Sequence, residues 1–275
     1  MDITAQEYQD FQVFLQKSSG IEIGDNKQYL VKNRLINVLQ EFNLASLSEL
    51  LLQLNKGAGL AGQLQSKVID AMTTNETFWF RDDTQFQALQ HEVLPEILKQ
   101  KRGAIKVWSA ACSSGQEPYT ISMCVAEWGA AQAINQNVQI LGTDISDTVL
   151  KQARAGIYSD MAIDRGLASQ VYARYFQKVA AGHQLNSDIM RRARFQKLNL
   201  LQPFANVGKF DIIFCRNVLI YFSEAVKRDI LQRLVAALEP GGYLFLSSTE
   251  SIPMDLKMIE PVRGKRARYF KKTIS

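Results

Sequence analysis

Apolar residues recur at helical spacing in the first quarter of the chain. One stripe contains Val31, Leu35, Val38 and Phe42. Such a stripe predicts an amphipathic helix with an exposed polar face. Residues 25–28 and 46–49 each have the sequence of a capping box, which satisfies free N–H groups at a helix start, and Gly57 is placed to end the helix after the second box. We therefore predict a small all-helical domain over residues 1–72.

Beyond residue 100, short apolar runs alternate with helical patterns. The predicted strands are 104–110, 138–143, 210–215 and 243–247, and helical patterns fill 117–128, 147–155 and 223–238. This alternation predicts an α/β fold with a doubly wound parallel sheet. Residues 158–197 are polar, basic and too long for a simple loop in a compact domain. We therefore expect an inserted subdomain at about 158–197, within a second domain that spans 73–275.

Composition argues against several classes of protein. With 275 residues and a hydrophobic content of 47%, the chain can bury a packed core, so disorder is not expected. It has no apolar run long enough to span a bilayer, and it begins without the features of a signal peptide. The three cysteines and two histidines are not spaced as metal ligands or as a disulfide framework. We expect a cytoplasmic protein with no direct membrane insertion and no metal site.

Positive charge is concentrated in two clusters, within a net charge of +5. One cluster contains Arg191, Arg192 and Arg194, and the other runs from residue 263 to residue 268. Clusters of this kind favour an acidic partner. The second cluster has another explanation, because residues 267–270 alternate like a strand, and cations protect edge strands from pairing with other chains.

Residues 106–119 predict a ligand site. An apolar strand runs into a turn of small residues, and Glu117 and Pro118 then open a helix whose free N–H groups point at the turn. A purely structural turn has the same features. Asp144 ends the next predicted strand, where a carboxylate can accept both hydroxyls of a ribose. Because Gly115 stands alone where dinucleotide sites have three glycines, adenosine without phosphates is the favoured ligand.

Three segments together closely resemble the signatures of the CheR family, the chemotaxis receptor glutamate methyltransferases. They are Thr74-Asn-Glu-Thr-Phe-Trp-Phe-Arg81, residues 108–119, and Phe214-Cys-Arg-Asn-Val-Leu-Ile-Tyr-Phe222. The resemblance covers nearly the whole chain. It implies a methyltransferase-type sheet and S-adenosylmethionine as cofactor, with S-adenosylhomocysteine as product. It also implies methyl transfer to glutamate side chains in a cytoplasmic helical segment of chemoreceptors.

The resemblance also implies roles for individual residues. Arg81 and Tyr221 match positions at the transfer site, and Asp144 matches the carboxylate expected on the ribose. Phe78, Trp79 and Phe80 have core packing as their simpler explanation, and Tyr221 has strand capping as an alternative. The implied cofactor-binding residues are Asn75, Thr77, Arg81, Glu117, Asp144, Asn199, Leu200, Asn217 and Val218.

The receptor-binding surface is less defined by the sequence. Lys27, Lys32 and Arg34, together with the first arginine cluster, are candidates because a basic surface suits an acidic substrate, although ordinary solvation also explains them. Some family members use a glycine-containing loop of the insertion to bind a peptide at the receptor's C-terminus. Residues 176–185 look shorter and glycine-poor, so we expect no such tether.

Two other functions remain open at this stage. A methyltransferase of RNA or a small molecule would use the same cofactor fold, but the chain has neither an Asn-Pro-Pro-Tyr motif nor an aromatic and basic stacking platform, so we expect no nucleic-acid partner. The second alternative is a non-catalytic receptor-binding adaptor with a retained cofactor pocket. The complete set of implied site residues favours the enzyme.

Overall fold

The computed structural model describes residues 2–56, 60–101, 103–133 and 137–274. In the N-terminal part, the helices are α1 (Ala5–Ser19), α2 (Gln28–Glu41), α3 (Leu47–Asn55) and α4 (Leu60–Met72). The predicted stripe on α2 packs into their common core, where Val31, Leu35 and Val38 are buried and Phe42 is partly buried. The all-helical character of this part is therefore confirmed.

The predicted helix caps have different outcomes. Ser46 caps α3 as predicted, because its hydroxyl accepts a hydrogen bond from the backbone N–H of Glu49 at 3.2 Å. The box at residues 25–28 is wrong, because α2 begins after Lys27 without a side-chain cap. The chain turns at Asn26, which has a positive φ of 61°, so Asp25 comes too early to cap the helix. Gly57 lies outside the described residues.

The rest of the chain contains the predicted strands and helices, together with elements that were not predicted. The helices are α5 (Asp83–Ala88), α6 (Leu94–Gln100), α7 (Gln116–Gln132), α8 (Asp147–Ala155), α9 (Asp160–Asp164), α10 (Ser169–Tyr175), α11 (Ser187–Met190) and α12 (Glu224–Ala237), with a π-turn at Leu89–Val93 and a 3-10 turn at Leu219–Tyr221. The strands are β1 (Ile105–Ala110), β2 (Val138–Asp144), β3 (Ile157–Tyr158), β4 (Phe176–Val179), β5 (Gly182–Leu185), β6 (Ala193–Lys197), β7 (Phe210–Cys215), β8 (Leu238–Phe245), β9 (Ile259–Arg263) and β10 (Arg268–Lys272).

Seven strands form the main sheet in the order β6-β2-β1-β7-β8-β10-β9. The first five of these are mutually parallel, and β10 is antiparallel to both of its neighbours. This arrangement confirms the α/β methyltransferase-type sheet. Because β10 lies between β8 and β9, residues 267–270 do not belong to an edge strand.

Along the inner strands, successive side chains point to opposite faces of the sheet and are buried on both. Trp108 and Ile213 pack on the face covered by α12, whereas Val107 and Ile212 pack on the face covered by α6 and α7. Helices on both faces leave the edge of the sheet at the carboxyl ends of the strands free to hold a ligand. No helix in the described ranges is both long and apolar enough to cross a membrane.

A small fold is inserted between α8 and β6. Its three antiparallel strands have the order β3-β5-β4, and α9, α10 and α11 surround them. The predicted insertion ran to residue 197, but the structure places Ala193–Lys197 in the main sheet as β6. The polar, basic composition of this strand follows from its place at the edge of the sheet, where only one neighbour covers it.

The helical part packs against the carboxyl edge of the sheet. Gly20 ends α1 with a φ of 78°, and a Cβ atom there would lie 2.9 Å from the side chains of Leu201 and Phe222. The amide of Asn199 donates to the carbonyl of Ser18 at 2.8 Å. Because this packing brings the helices over the ends of the strands, both parts of the chain enclose the site described next.

Candidate active site

A cavity of about 330 Å³ lies where the helical part meets the carboxyl ends of β1, β2 and β7. In open α/β sheets, ligands bind in this position, where the strand order reverses. Every residue that the sequence analysis assigned to the site lines this cavity: Asn75, Thr77, Arg81, Glu117, Asp144, Asn199, Leu200, Asn217, Val218 and Tyr221. Its volume is in the range of small-molecule and cofactor sites.

The turn after β1 approaches the cavity with an unusual backbone. Ala111, Ser113 and Gly115 all have positive φ, at 59°, 50° and 93°. A Cβ atom on Gly115 would lie 2.9 Å from the Cβ of Ala153, so glycine is required where the turn packs on α8. The backbone N–H of Ser113 donates to a carboxylate oxygen of Asp144 at 2.8 Å. The turn and the end of β2 are therefore held together as one wall of the cavity.

Asp144 is a buried carboxylate at the end of β2. Its second oxygen accepts a hydrogen bond from the backbone N–H of Ser146 at 3.0 Å. Burial raises the pKa of Asp144, although the N–H bonds from Ser146 and Ser113 oppose this shift. A ligand that donates hydrogen bonds to this carboxylate would favour its ionised form. The hydroxyls of a ribose are donors of this kind.

Glu117 lies at the start of α7 and is oriented from two sides. One of its oxygens accepts a hydrogen bond from the hydroxyl of Ser109 at 2.7 Å, and the other forms an ion pair with Arg216 at 2.8 Å. The Arg216 side chain is only 2% exposed, and it also pairs with Asp82 at 2.8 Å and donates to the carbonyl of Arg81. Arg216 thus connects the third signature segment to both of the others.

The first signature segment is anchored by Trp79 and Phe80, and it exposes Phe78 and Arg81 to the cavity. The Trp79 ring packs edge-on against Tyr158 and Phe176 of the inserted fold, with centroids 4.8 and 5.2 Å apart. The guanidinium of Arg81 lies over the Phe78 ring at 5.3 Å and donates to the carbonyl of Glu76 at 3.1 Å. Trp79 and Phe80 pack in the core as expected, whereas Phe78 lines the cavity.

Arg34 supports this segment from the helical part. Its guanidinium donates to the carbonyls of Met72 and Thr73 and to the hydroxyl of Thr74 at 3.0 Å. From the sequence, Arg34 was expected on a solvated or receptor-binding face. In the structure it lines the cavity and binds the connection between α4 and the first signature segment.

The third signature segment turns sharply at Asn217, which has a positive φ of 58°. The carboxylate of Glu250 holds this turn by accepting backbone N–H bonds from Asn217, Val218 and Leu219 at 2.9, 3.0 and 2.8 Å. It also accepts from the N–H and hydroxyl of Ser247 at 3.0 and 2.7 Å. Glu250 therefore fixes the turn that leads to Tyr221.

Tyr221 connects the third segment to the helical part. Its carbonyl accepts a hydrogen bond from the backbone N–H of Glu22 at 2.9 Å, and the residue is half-buried at the cavity.

The side-chain amide of Asn199 is engaged at both its nitrogen and its oxygen. The nitrogen donates to the carbonyl of Ser18, and the oxygen accepts from the backbone N–H of Leu201 at 3.0 Å. The side chain of Asn199 thus holds the wall of the cavity.

Arg216 and Glu250 were not predicted as site residues from the sequence. Arg216 stood inside a quoted signature between a buried strand and Asn217, and an arginine at the end of an apolar run was the signal. Glu250 had a weaker signal, an acidic residue shortly after the last predicted strand. Among the residues that the structure describes, no group of three or more metal-ligating side chains is close enough to hold a metal ion.

Comparison with known proteins gives the class of the protein. The family model described as CheR methyltransferase, SAM binding domain, matches residues 75–267, and the model described as CheR methyltransferase, all-alpha domain, matches residues 6–73. With the sheet order and the cavity above, these matches define an S-adenosylmethionine-dependent methyltransferase.

The chain belongs to the CheR methyltransferase family, as the signature segments predicted. It is 46% identical over 250 residues to chemotaxis protein methyltransferase 1 of Pseudomonas aeruginosa, and 45% identical over 250 residues to chemotaxis protein methyltransferase Cher2 of Pseudomonas putida, covering 90% of both chains in each case. It is 44% identical over 263 residues to the chemotaxis protein methyltransferase of Vibrio parahaemolyticus, covering 95% of this chain and 94% of the other.

Proposed function

We propose that this protein transfers the methyl group of S-adenosylmethionine to glutamate side chains in the cytoplasmic helical segment of chemoreceptors, forming glutamate methyl esters. The observation that carries the proposal is the single cavity in which Asp144, Glu117, Arg81 and Tyr221 meet. The names of the relatives, all chemotaxis protein methyltransferases, support a chemoreceptor as substrate.

The residues of the cavity fit the cofactor. Asp144 is a buried acceptor at the end of β2, suited to the two hydroxyls of a ribose, and we assign Leu200 and Val218 to its apolar parts. Glu117 is a second carboxylate, suited to a cationic amino group. Gly115 lets the turn after β1 approach closely, because a side chain there would collide with Ala153. We assign Asn75, Thr77, Asn199 and Asn217 to the same binding site.

Methyl transfer to a glutamate side chain requires few groups besides these cofactor-binding residues. When bound, S-adenosylmethionine supplies a methyl group on a positively charged sulfur. A glutamate side chain has a reference pKa of about 4.3 and is ionised at neutral pH, so no residue of the chain has to remove a proton. The enzyme has to hold the carboxylate in line, and good orientation can supply roughly 7–11 kcal/mol.

Arg81 is the group that we assign to this orientation. A guanidinium matches a carboxylate geometrically, but a tight bidentate pair would stabilise the ground state and oppose the reaction. Arg81 is restrained by Phe78 and by the carbonyl of Glu76, so it presents its charge from a fixed position. We assign Tyr221 a hydrogen bond at the same site.

The rim of the cavity offers a surface for the receptor helix. Lys27 lies at this rim with its ammonium 5.7 Å from the exposed ring of Tyr29. The first arginine cluster lies away from this rim, toward the amino ends of the strands, because Arg194 precedes Lys197, the partner of Asp144, by three residues of β6, or about 10 Å. We therefore leave Arg191, Arg192 and Arg194 out of this surface.

We also propose that no receptor tail peptide is bound by the insertion. The supporting observation is the short connection between β4 and β5, whose paired ends Val179 and Gly182 leave only two residues in the turn. Tight, saturable binding of a receptor tail peptide would contradict this part of the proposal.

The function is tested by incubating the protein with labelled S-adenosylmethionine and chemoreceptor-containing membranes. We expect label in the receptor that is released by mild alkali, because carboxyl esters hydrolyse readily and N-methyl groups do not. Membranes without receptors are the control. Receptor binding without incorporation would instead indicate an adaptor, and alkali-stable label would indicate a different acceptor.

A further inference from the structure

The hairpin formed by β9 and β10 carries a cluster of unneutralised cations. Arg263, Lys265, Arg266 and Arg268 are all exposed, and no acidic residue lies between positions 263 and 268. Within the described part of the chain, none of the four forms an ion pair. Arg263 and Arg268 are direct cross-strand partners. Like charges directly opposite one another destabilise a sheet, so folding alone does not account for this arrangement.

Protection of a sheet edge does not account for the cluster either. β10 is paired on both sides, so Arg268 has no open edge to protect. The true edge strand is β9, and it contains Pro261 at its centre. A proline on an edge strand already blocks pairing with another chain, because it lacks the N–H that a ladder needs.

The backbone of the hairpin is held in one conformation by Glu92. This carboxylate accepts N–H bonds from Lys265 and Arg266, both at 3.2 Å, and the hydroxyl of Tyr269 at 3.3 Å. Gly264 is needed here, because a Cβ atom would lie 2.8 Å from the carbonyl of Ala267. The carboxylate of Glu92 is therefore engaged with the backbone and leaves the side chains of Arg263, Lys265 and Arg266 exposed. The exposed Arg268 places its guanidinium over the Phe270 ring at 5.2 Å.

The register of the strands places this hairpin at the same edge of the sheet as the active site. Phe270 pairs with Leu244 and Phe214 with Phe245, so Arg268 is level with Cys215, the last residue of β7. The next residues of the chain, Arg216 and Asn217, line the cavity. β10 and β9 are two and three strands from β7, or about 10 and 14 Å.

We propose that the β9–β10 hairpin binds acidic residues of the protein substrate beside the methylated glutamates. The inference rests on the proposed function, because a substrate with several glutamates on one helix supplies the complementary charge. The hairpin then acts as a second, electrostatic contact that helps to align the substrate helix with the cavity. It adds affinity and does not touch the reacting atoms.

The test is the double variant Arg263→Gln/Arg266→Gln. We expect the KM for receptor-containing membranes to rise about fivefold, as the loss of two exposed charge contacts predicts, with kcat and the affinity for S-adenosylhomocysteine unchanged. The Tm should stay level or rise, because the repulsion between Arg263 and Arg268 is removed. A matched control is Lys106→Gln/Arg194→Gln. It removes two cations near the amino ends of β1 and β6, away from the cavity, and should leave KM unchanged.

Other results would overturn the proposal in distinguishable ways. An unchanged KM in the hairpin variant, with active wild-type protein, overturns the hairpin contact alone. A wild-type protein that does not methylate receptors overturns the proposed function and this inference together. If the variant loses binding to phosphatidylglycerol vesicles or to duplex DNA while its receptor KM is unchanged, the occupant is a phosphate-bearing surface and the proposal is wrong.

Discussion

Replacing Arg81 with glutamine is expected to lower kcat for receptor methylation about 100-fold, the cost of misplacing a reacting group by about 1 Å. The variant keeps a polar side chain at the cavity but loses the charge that aims the substrate carboxylate. Arg81→Lys should give an intermediate rate, because it keeps the charge and loses the planar fork. Binding of S-adenosylhomocysteine should weaken less than kcat falls.

Arg165 provides a matched control for this experiment. Its guanidinium also lies over the Phe78 ring, at 5.6 Å, and it pairs with Glu76 at 2.7 Å. Arg165 does not line the cavity. Arg165→Gln should therefore leave kcat near the wild-type value, whereas a folded Arg81→Gln enzyme with wild-type kcat would remove Arg81 from the catalytic site.

Glu250→Gln is expected to lower kcat about 100-fold and to weaken the cofactor site. The amide that replaces the carboxylate keeps only one acceptor oxygen. In one orientation its NH2 group faces the backbone N–H of Asn217, and in the other it faces those of Val218 and Leu219. Because hydrogen bonds to a charged group contribute about 1.5–3 kcal/mol each, the free energy of unfolding should fall by roughly 3 kcal/mol. The turn at Asn217 would then lose its positive-φ conformation, and Tyr221 its position.

A purely structural role for Glu250 makes a different prediction. In that case the Tm falls, but the folded protein at low temperature keeps its kcat and its affinity for S-adenosylhomocysteine. Glu260→Gln is the control, since Glu260 is an exposed glutamate on β9 and should change neither property. Measurement of kcat and affinity well below the Tm of each variant separates positioning from stability.

The hydrophobic pattern alone could place the parts of the site at the ends of strands, whereas Asn75, Thr77 and Arg81 came from the resemblance of the first signature segment. Asp144 and Asn217 each follow an apolar run, and carboxyl ends of parallel strands meet at one edge of a sheet. Glu250 acts through backbone N–H groups more than thirty residues away in the chain, and such a contact depends on how a loop folds back. A local pattern can mark Glu250 as an acidic residue after a strand, but it does not predict these contacts.

In the fold, too, elements with a strong local pattern were predicted and those without one were not. The amphipathic stripe of α2 and the buried strands of the main sheet have strong periodicity, and both were predicted. The predicted cap at Asp25 was wrong because the chain makes a left-handed turn at Asn26. The residue types that define a capping box do not predict such a turn. The strand β6 was read as part of the insertion because an edge strand with one exposed face has the polar composition of a loop.

The most direct test of the account is a calorimetric titration of S-adenosylhomocysteine into the wild-type protein and into Asp144→Asn. We predict one site per chain in the wild-type protein and an affinity at least about tenfold lower in the variant, because a buried acceptor for the ribose is replaced in part by a donor. Equal affinities in the two folded proteins, or no binding to the wild-type protein, would contradict the placement of the cofactor in this cavity.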